Sequence, residues 1–256
     1  MDKAIKILAV IQARTGSSRL PNKVLMNICG KTVLEHVVER VRKSKYIDEV
    51  VVATTEQEGD QGIVSLCEEK GIPVFRGSEE DVLDRYYQVS KIFAPQNIVR
   101  ITADCPLHDS DVIDLVIKKH LESGGDYTSN TLEVTYPDGL DCEVFTFETL
   151  ESAWNHANLT SQREHVTQYI INNDRYRKFS VENEVNLGNE RWTLDTESDL
   201  KLIKTIYEEL YFGNPEFGYK DVLRLLEEKP ELRELNADSV RNEGLLKSLA
   251  NDYYVK

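Results

Sequence analysis

Residues 5–11 read Ile5-Lys6-Ile7-Leu8-Ala9-Val10-Ile11, an apolar run in which β-branched side chains are frequent. Two further runs of this kind lie at residues 50–53 and 98–101, and polar segments bound each of them. Runs of this length and composition are typical of strands that are buried on both faces of a parallel sheet. The sequence therefore predicts three parallel strands in the first half of the chain.

Helical patterns alternate with these strands. A third helix is expected to begin at the capping box Ser78-x-x-Asp81, and a fourth at residues 109–121, before Gly124. The alternation predicts an α/β fold, a three-layer, doubly wound, mostly parallel sheet with helices on both faces. Ligands of such sheets bind at the carboxyl ends of the strands, where the strand order reverses.

The alternation becomes less regular after about residue 126. One elaborated domain is expected over residues 1–212, with an elaboration at about 131–181, followed by a helical appendage at 213–256. The charged residues after Glu208 are expected to form solvated helix faces. Strands are expected at residues 127–130, 140–145, 177–181 and 191–194, and helices at 147–158, at 163–172 after the capping box Ser161-x-x-Glu164, and at 196–211.

The overall charge limits the classes of partner. The chain of 256 residues has a formal net charge of −14, which argues against binding to nucleic acid, because such binding depends on neutralising phosphates. The longest apolar run is far shorter than the roughly 20 residues that a membrane-spanning helix needs. A cytoplasmic protein without a membrane partner is therefore expected, and any anionic ligand must meet a local basic cluster.

Such a cluster follows the first predicted strand. Residues 11–23 read Ile11-Gln-Ala-Arg-Thr-Gly-Ser-Ser-Arg-Leu-Pro-Asn-Lys23 and contain three cations but no acidic residue. Backbone N–H groups near Gly16, the two serine hydroxyls and the three cations could together bind a triphosphate. The pattern is neither a Walker loop nor a dinucleotide-binding glycine motif. From charge alone, a solvated basic turn is an equally good interpretation.

The loop resembles the signature of the CMP-sugar synthetases. This family includes the 3-deoxy-manno-octulosonate and acylneuraminate cytidylyltransferases and, most similar here, the spore-coat polysaccharide biosynthesis protein F branch. The resemblance implies a nucleotide-diphospho-sugar transferase (GT-A like) fold. Five further motifs carry it in the same order: Phe75-Arg-Gly-Ser-Glu-Glu-Asp-Val-Leu-Asp-Arg-Tyr86, Arg100-Ile-Thr-Ala-Asp-Cys-Pro-Leu107, Tyr136-Pro-Asp-Gly-Leu-Asp141, Arg163-Glu-His-Val-Thr167 and Trp192-Thr-Leu-Asp-Thr-Glu-Ser-Asp-Leu200.

The resemblance implies a reaction and its participants. A hydroxyl group of a sugar acid or similar small acceptor would attack the α-phosphorus of CTP and expel pyrophosphate, in the biosynthesis of a surface polysaccharide. Arg14 and Lys23 match positions that hold the triphosphate, and Asp104 and Asp195 match the two ligands of Mg²⁺. These four residues are the expected catalytic set. The nucleotide-binding residues are expected to be Ala13, Arg14, Thr15, Gly16, Ser17, Ser18, Arg19, Lys23, Arg76 and Ser78.

The acceptor site and the oligomeric state are likewise implied. Family members commonly form homodimers, and the region 131–181 is the expected interface. His165 could contact the acceptor or be structural, and the turn at residues 137–141 could be a plain hairpin bend. The acceptor-binding residues are expected to be Asp138, Asp141, Glu143, Arg163 and His165.

Several alternatives remain open at the level of sequence. Asp109-Ser-Asp111 has the D-x-D pattern that holds a metal in many glycosyltransferases, but its position favours a helix cap. Asp104 and Asp195 could also be caps. The fold would equally suit a glycosyltransferase that uses a nucleotide sugar, or a non-catalytic nucleotide-binding protein.

Overall fold

The computed structural model of the chain describes residues 6–237 and 241–255. Within these residues, a seven-stranded sheet has the strand order β5-β4-β1-β6-β8-β7-β9, and β2 and β3 form a small hairpin. The strands are β1 (Ile7–Gln12), β2 (Asn27–Ile28), β3 (Lys31–Thr32), β4 (Glu49–Thr55), β5 (Val74–Gly77), β6 (Asn97–Thr102), β7 (Tyr127–Ser129), β8 (Glu143–Thr146) and β9 (Lys178–Ser180).

Helices connect most of these strands. In the part of the chain that the structure describes, none of them is long and apolar enough to cross a bilayer. The helices are α1 (Val33–Arg42), α2 (Gln61–Glu69), α3 (Val82–Phe93), α4 (Ser110–Ser123), α5 (Phe147–His156), α6 (Thr160–Glu164), α7 (Gln168–Ile171), α8 (Glu197–Leu210), α9 (Tyr219–Glu228) and α10 (Glu243–Ala250).

The strand order reverses at β1. This strand pairs in parallel with β4 on one side and with β6 on the other, and β4 pairs in parallel with β5. Strand β8 then runs antiparallel to β6 and β7. The carboxyl ends of β1 and β6 therefore border the crevice in which ligands of doubly wound sheets bind.

The sheet separates two apolar cores. On one face, Ala9 and Ile11 of β1 pack with apolar residues of α1, α2 and α4. On the other face, Leu8 and Val10 pack with α3 and α5. Successive residues of a buried strand point to opposite faces, so both sets must be apolar. The predicted three-layer α/β fold and its three first strands are confirmed, except that residue 5 lies outside the described residues.

A third core lies beside the sheet and joins the basic loop to the C-terminal helices. Leu20 and Trp192 are buried there with Val222, Leu225 and Leu226 of α9. The Gly139 turn contacts the same core, and with a φ of 111° a Cβ at this residue would lie 2.6 Å from the Trp192 carbonyl carbon. The domain boundary expected at residue 212 stays a prediction.

Two helix predictions need correction, one in each half of the chain. The helix expected at residues 163–172 is divided into α6 and α7, and Val166 between them has a left-handed φ of 57°. The expected capping box does not form there, because the Ser161 hydroxyl donates to Asp252 at 2.6 Å. Helix α3 begins after Asp81, whose carboxylate accepts from the Asp84 N–H, so its start is three residues later than the Ser78 start.

The strand predictions in the second half of the chain are also imprecise. The segment 191–194 makes only an isolated bridge between Arg191 and Asp138, because its side chains and backbone pack into the third core instead of pairing along an edge. The strand expected at 140–145 begins only at Glu143. The Asp109 side chain does cap α4, accepting from the N–H groups of Asp111 and Val112, which confirms the capping interpretation.

Candidate active site

The carboxyl ends of β1 and β6 carry the groups at the centre of the crevice. Lys23 lies in a short 3-10 turn, Lys23–Leu25, which ends the basic loop after β1. Asp104 follows β6, and Asp195 immediately precedes the capping residue of α8. The Leu194 N–H donates to the Asp104 carbonyl at 2.8 Å, which brings the two aspartates side by side although 91 positions separate them.

Lys23 joins the two aspartates. Its Nζ lies 2.7 Å from Asp104 Oδ2 and 2.8 Å from Asp195 Oδ1, and its side chain is only 10% exposed. Burial alone lowers the pKa of a lysine, but the two carboxylates raise the pKa of Lys23 above its usual value. Burial disfavours a charged carboxylate, yet Lys23 holds the pKa of Asp104 well below its usual range. Lys23 and Asp104 are therefore both charged at neutral pH.

The two carboxylates suit a magnesium ion that also binds substrate. Mg²⁺ prefers oxygen ligands and is often held by one or two carboxylates together with substrate phosphates. Asp104 and Asp195 each direct a carboxylate oxygen towards the Lys23 Nζ, which donates a hydrogen bond to both. Within residues 6–237 and 241–255, no cluster of three or more His, Cys, Asp or Glu could hold a metal by itself. The donor set thus fits an ion that a nucleotide completes.

Two cavities meet at this cluster. One, of about 300 Å³, extends towards the basic loop and α3, and we call it the nucleotide cavity. The other, of about 440 Å³, extends towards the segment 131–143 and α7, and we call it the acceptor cavity. The residues common to both are Arg19, Thr102, Asp104, His165, Asp195 and Gly244. Groups bound in the two cavities would therefore meet beside Asp104 and Asp195.

The nucleotide cavity is lined by most of the basic loop. Arg14 is exposed and makes no ion pair among the described residues, whereas Arg19 lies 3.2 Å from Asp195 Oδ2. Buried Arg85 also lines the cavity; it ends the segment 76–85 of a family motif but is not among the predicted nucleotide-binding residues, because it does not stand out from the amphipathic pattern of α3. The predicted residues that line this cavity are Ala13, Arg14, Ser17, Ser18, Arg19 and Lys23.

Four predicted nucleotide residues lie elsewhere. Thr15 is buried, and its N–H and hydroxyl both donate to Asp60, so it anchors the base of the loop. Arg76 donates to the carbonyls of Thr55 and Gln57 and lines a separate surface cavity. Neither Gly16 nor Ser78 lines the nucleotide cavity.

Four of the five predicted acceptor residues line the acceptor cavity, and the three acidic ones each form an ion pair with an arginine. Asp138 lies 2.8 Å from Arg191, Asp141 lies 2.6 Å from Arg241, and Glu143 contacts Arg100. Burial raises the pKa of Asp141 to about 7 despite the opposing effect of Arg241, and the neighbouring acids add to the shift. The sequence gives no sign of these pairings, because the partners are distant in the chain.

His165 and Arg163 have different positions. His165 lines both cavities, and its Nε2 lies 2.9 Å from the Ser248 hydroxyl. Burial lowers the pKa of His165, which favours the neutral ring. Arg163 does not line the acceptor cavity, because its guanidinium is bound to Asp81 and to the Trp154 carbonyl.

A model of the cytidylyltransferase family matches residues 8–220, and this range contains the basic loop, Asp104 and Asp195. The chain belongs to the cytidylyltransferase family. It is therefore a CTP-dependent nucleotidyltransferase, and the family resemblance drawn from its motifs is confirmed.

Named relatives and a solved structure agree with this membership. The spore coat polysaccharide biosynthesis protein SpsF of Bacillus subtilis (strain 168) is 35% identical over 88% of this chain and 95% of its own. A 3-deoxy-manno-octulosonate cytidylyltransferase of Solibacter usitatus (strain Ellin6076) is 27% identical over 82% and 91%. The structure of a cytidylyltransferase from Leptospira borgpetersenii serovar Hardjo-bovis (strain JB197) is 33% identical, covers 89% of this chain and 96% of its own, and superposes with a TM-score of 0.84.

In this cytidylyltransferase, one wall of both cavities lies beyond the residues that the family model matches. Gly244 lines both cavities, Lys247 lines the nucleotide cavity and Glu243 lines the acceptor cavity. Glu243 contacts Arg19, and Arg241 pairs with Asp141. The expectation that the charged residues after Glu208 form only solvated helix faces is therefore wrong, since Glu243 and Lys247 of α10 line the two cavities and Glu243 pairs with Arg19.

Proposed function

We propose that the chain transfers the cytidylyl group of CTP to a hydroxyl group of a sugar acid and releases pyrophosphate. The observation that carries this proposal is the meeting of the two cavities at Asp104 and Asp195, the two carboxylates that Lys23 joins. A transferase needs two substrates to approach each other at one charged point. A protein that only binds a nucleotide has no use for a second cavity that opens onto the same carboxylates.

The nucleotide cavity suits a triphosphate. Arg14, Arg19 and Lys23 line it together with Ser17 and Ser18, so cations and hydroxyl donors face the same space. Phosphate oxygens bind most strongly to charged donors of this kind. Lys23 is already charged and held in place by its carboxylate neighbours, so little reorganisation is needed when charge develops on the leaving pyrophosphate.

Asp104 and Asp195 would hold the magnesium ion. When bound, the ion would neutralise phosphate charge and lower the pKa of the attacking hydroxyl. The chain itself would position the reacting groups, because little covalent chemistry is required of the protein. Lys23 would then turn from the two carboxylates towards the phosphates, within the same cavity.

The acceptor class is proposed from the names of the relatives and from the arginines of the second cavity. One relative acts on 3-deoxy-manno-octulosonate by name, and another is named for polysaccharide biosynthesis. Arg19, Arg100 and Arg191 line the acceptor cavity and could bind a carboxylate in exchange for their present partners. The cytoplasmic location and the homodimer through residues 131–181 stay predictions.

The proposal is tested by incubating the full chain with Mg²⁺, each of CTP, UTP, ATP and GTP, and a set of sugar acids. We expect pyrophosphate release only with CTP and a sugar acid, and the matched neutral sugars serve as controls. Absence of pyrophosphate with every sugar acid, although CTP binds, would contradict the proposed class of acceptor. A parallel incubation supplies a nucleotide sugar in place of the triphosphate, and its consumption without pyrophosphate release would indicate a glycosyltransferase instead.

A further inference from the structure

Glu243 of α10 holds two cations that face the nucleotide cavity. Its Oε2 accepts a hydrogen bond from Arg19 Nη1, and its Oε1 lies 2.5 Å from Lys247 Nζ. Arg19 and Lys247 both line the nucleotide cavity. These two cations lower the pKa of Glu243, Lys247 having the larger effect, so the carboxylate is charged at neutral pH. A resident carboxylate thus neutralises two of the cations that an anionic ligand would meet.

Arg19 is shared between two carboxylates. Its Nη2 lies 3.2 Å from Asp195 Oδ2, while Nη1 is bound to Glu243. A guanidinium binds carboxylates and phosphates with the same planar, two-pronged geometry, so the Glu243 carboxylate and a phosphate group are alternative partners for it. A bound triphosphate must compete with Glu243 for this donor.

The packing of helix α10 does not oppose such a change of partner. None of its residues is buried, and Leu246 and Leu249 are 56% and 46% exposed. Polar contacts fasten it instead: the Ser248 hydroxyl lies 2.9 Å from His165 and donates to Glu164 at 2.7 Å. Exchanging one ion pair for another therefore removes no apolar side chain from a core.

We propose that Glu243 is a specificity-determining residue, a built-in competitor that the triphosphate displaces from Arg19 and Lys247. A ligand with several phosphate charges outcompetes the carboxylate, whereas a monophosphate or inorganic phosphate does so poorly. Lys247, once released, becomes a further donor to the triphosphate. This inference rests on the proposed function in one respect, namely that the nucleotide cavity binds CTP.

The test compares the wild-type chain with Glu243→Gln, which keeps the shape of the side chain and removes its charge. Affinities for CTP, CMP and inorganic phosphate are measured by calorimetric titration at fixed salt and Mg²⁺. Exposed ion pairs are weak, so we expect CTP affinity to rise about two- to fivefold, and the affinity for CMP and phosphate to rise by a larger factor. Selectivity for the triphosphate therefore falls.

Two further variants keep the outcome interpretable. Lys247→Met should weaken CTP binding about two- to fivefold, and Glu227→Gln, which removes an exposed charge of α9 outside both cavities, should change nothing. Thermal unfolding identifies any variant that fails to fold. If Glu243→Gln binds CTP no more tightly than the wild type, Glu243 only holds α10 in place and the inference is wrong. If the wild type itself binds no CTP, the proposed function fails as well.

Discussion

The loop after β1 and helix α10 face each other across the nucleotide cavity, but they are held in opposite ways. Ala13, Leu20 and Val24 of the loop are at most 3% exposed and pack into the apolar cores. Helix α10 buries none of its residues. Lys23 of the loop has a side chain that is 10% exposed, whereas the Lys247 side chain of α10 is 67% exposed.

The loop is therefore a preorganised wall of the nucleotide cavity, whereas α10 is a wall that can adjust. Charges that must meet the transition state are best fixed in advance, because moving them during the reaction costs free energy. The loop meets this need, since its backbone is anchored by buried side chains and by the Thr15–Asp60 contacts. Helix α10 carries groups that can change partners when a ligand arrives.

The largest effect that we expect from this contrast is on stability. Leu20→Ala removes a side chain that is 2% exposed, and we expect a loss of about 2–5 kcal/mol in the free energy of unfolding. The matched change Leu246→Ala, in a side chain that is 56% exposed, should cost less than about 0.5 kcal/mol. Chemical denaturation measures both values, and similar losses in the two variants would remove the contrast.

A smaller effect is expected on ligand binding. Lys23→Ala removes the cation between Asp104 and Asp195, and we expect CTP affinity to fall on the order of tenfold, about 1.4 kcal/mol, with CMP affinity changed far less. Titration with each nucleotide measures the two affinities. Lys201→Ala, at an exposed position on α8 that lines neither cavity, is the control. Equal losses for CTP and CMP would contradict a role for Lys23 at the outer phosphates.

The loop side of the site is predictable from the sequence because its signals are local. β1, β4 and β6 are apolar runs, so their order along the chain indicates a parallel sheet whose carboxyl ends carry the ligand site. Three cations in one short acid-free loop stand out within an acidic chain. Asp104 and Asp195 required the family resemblance as well, since nothing local indicates that they are neighbours.

The α10 side could not be predicted, because its role depends on contacts between distant residues. Glu243 reaches Arg19 across 224 positions, and its own neighbourhood reads as an ordinary charged helix. Arg76, which lies outside the nucleotide cavity, illustrates the opposite case. It lies in a motif of the family resemblance, but its guanidinium donates to the carbonyls of Thr55, at the end of β4, and of Gln57. A local stretch of sequence shows that a residue is charged, but it does not show which residue is its ion-pair or hydrogen-bond partner.

The junction of the two cavities is tested most directly by the kinetics of Asp104→Asn. Loss of this carboxylate should reduce turnover by on the order of 10² or more, about 2.7 kcal/mol in the transition state, while CTP affinity stays within about tenfold of the wild type. Steady-state pyrophosphate release and CTP titration give the two numbers on the same preparation. Equal losses in turnover and in affinity, or no loss in turnover, would contradict a catalytic role for Asp104 at the meeting point of nucleotide and acceptor.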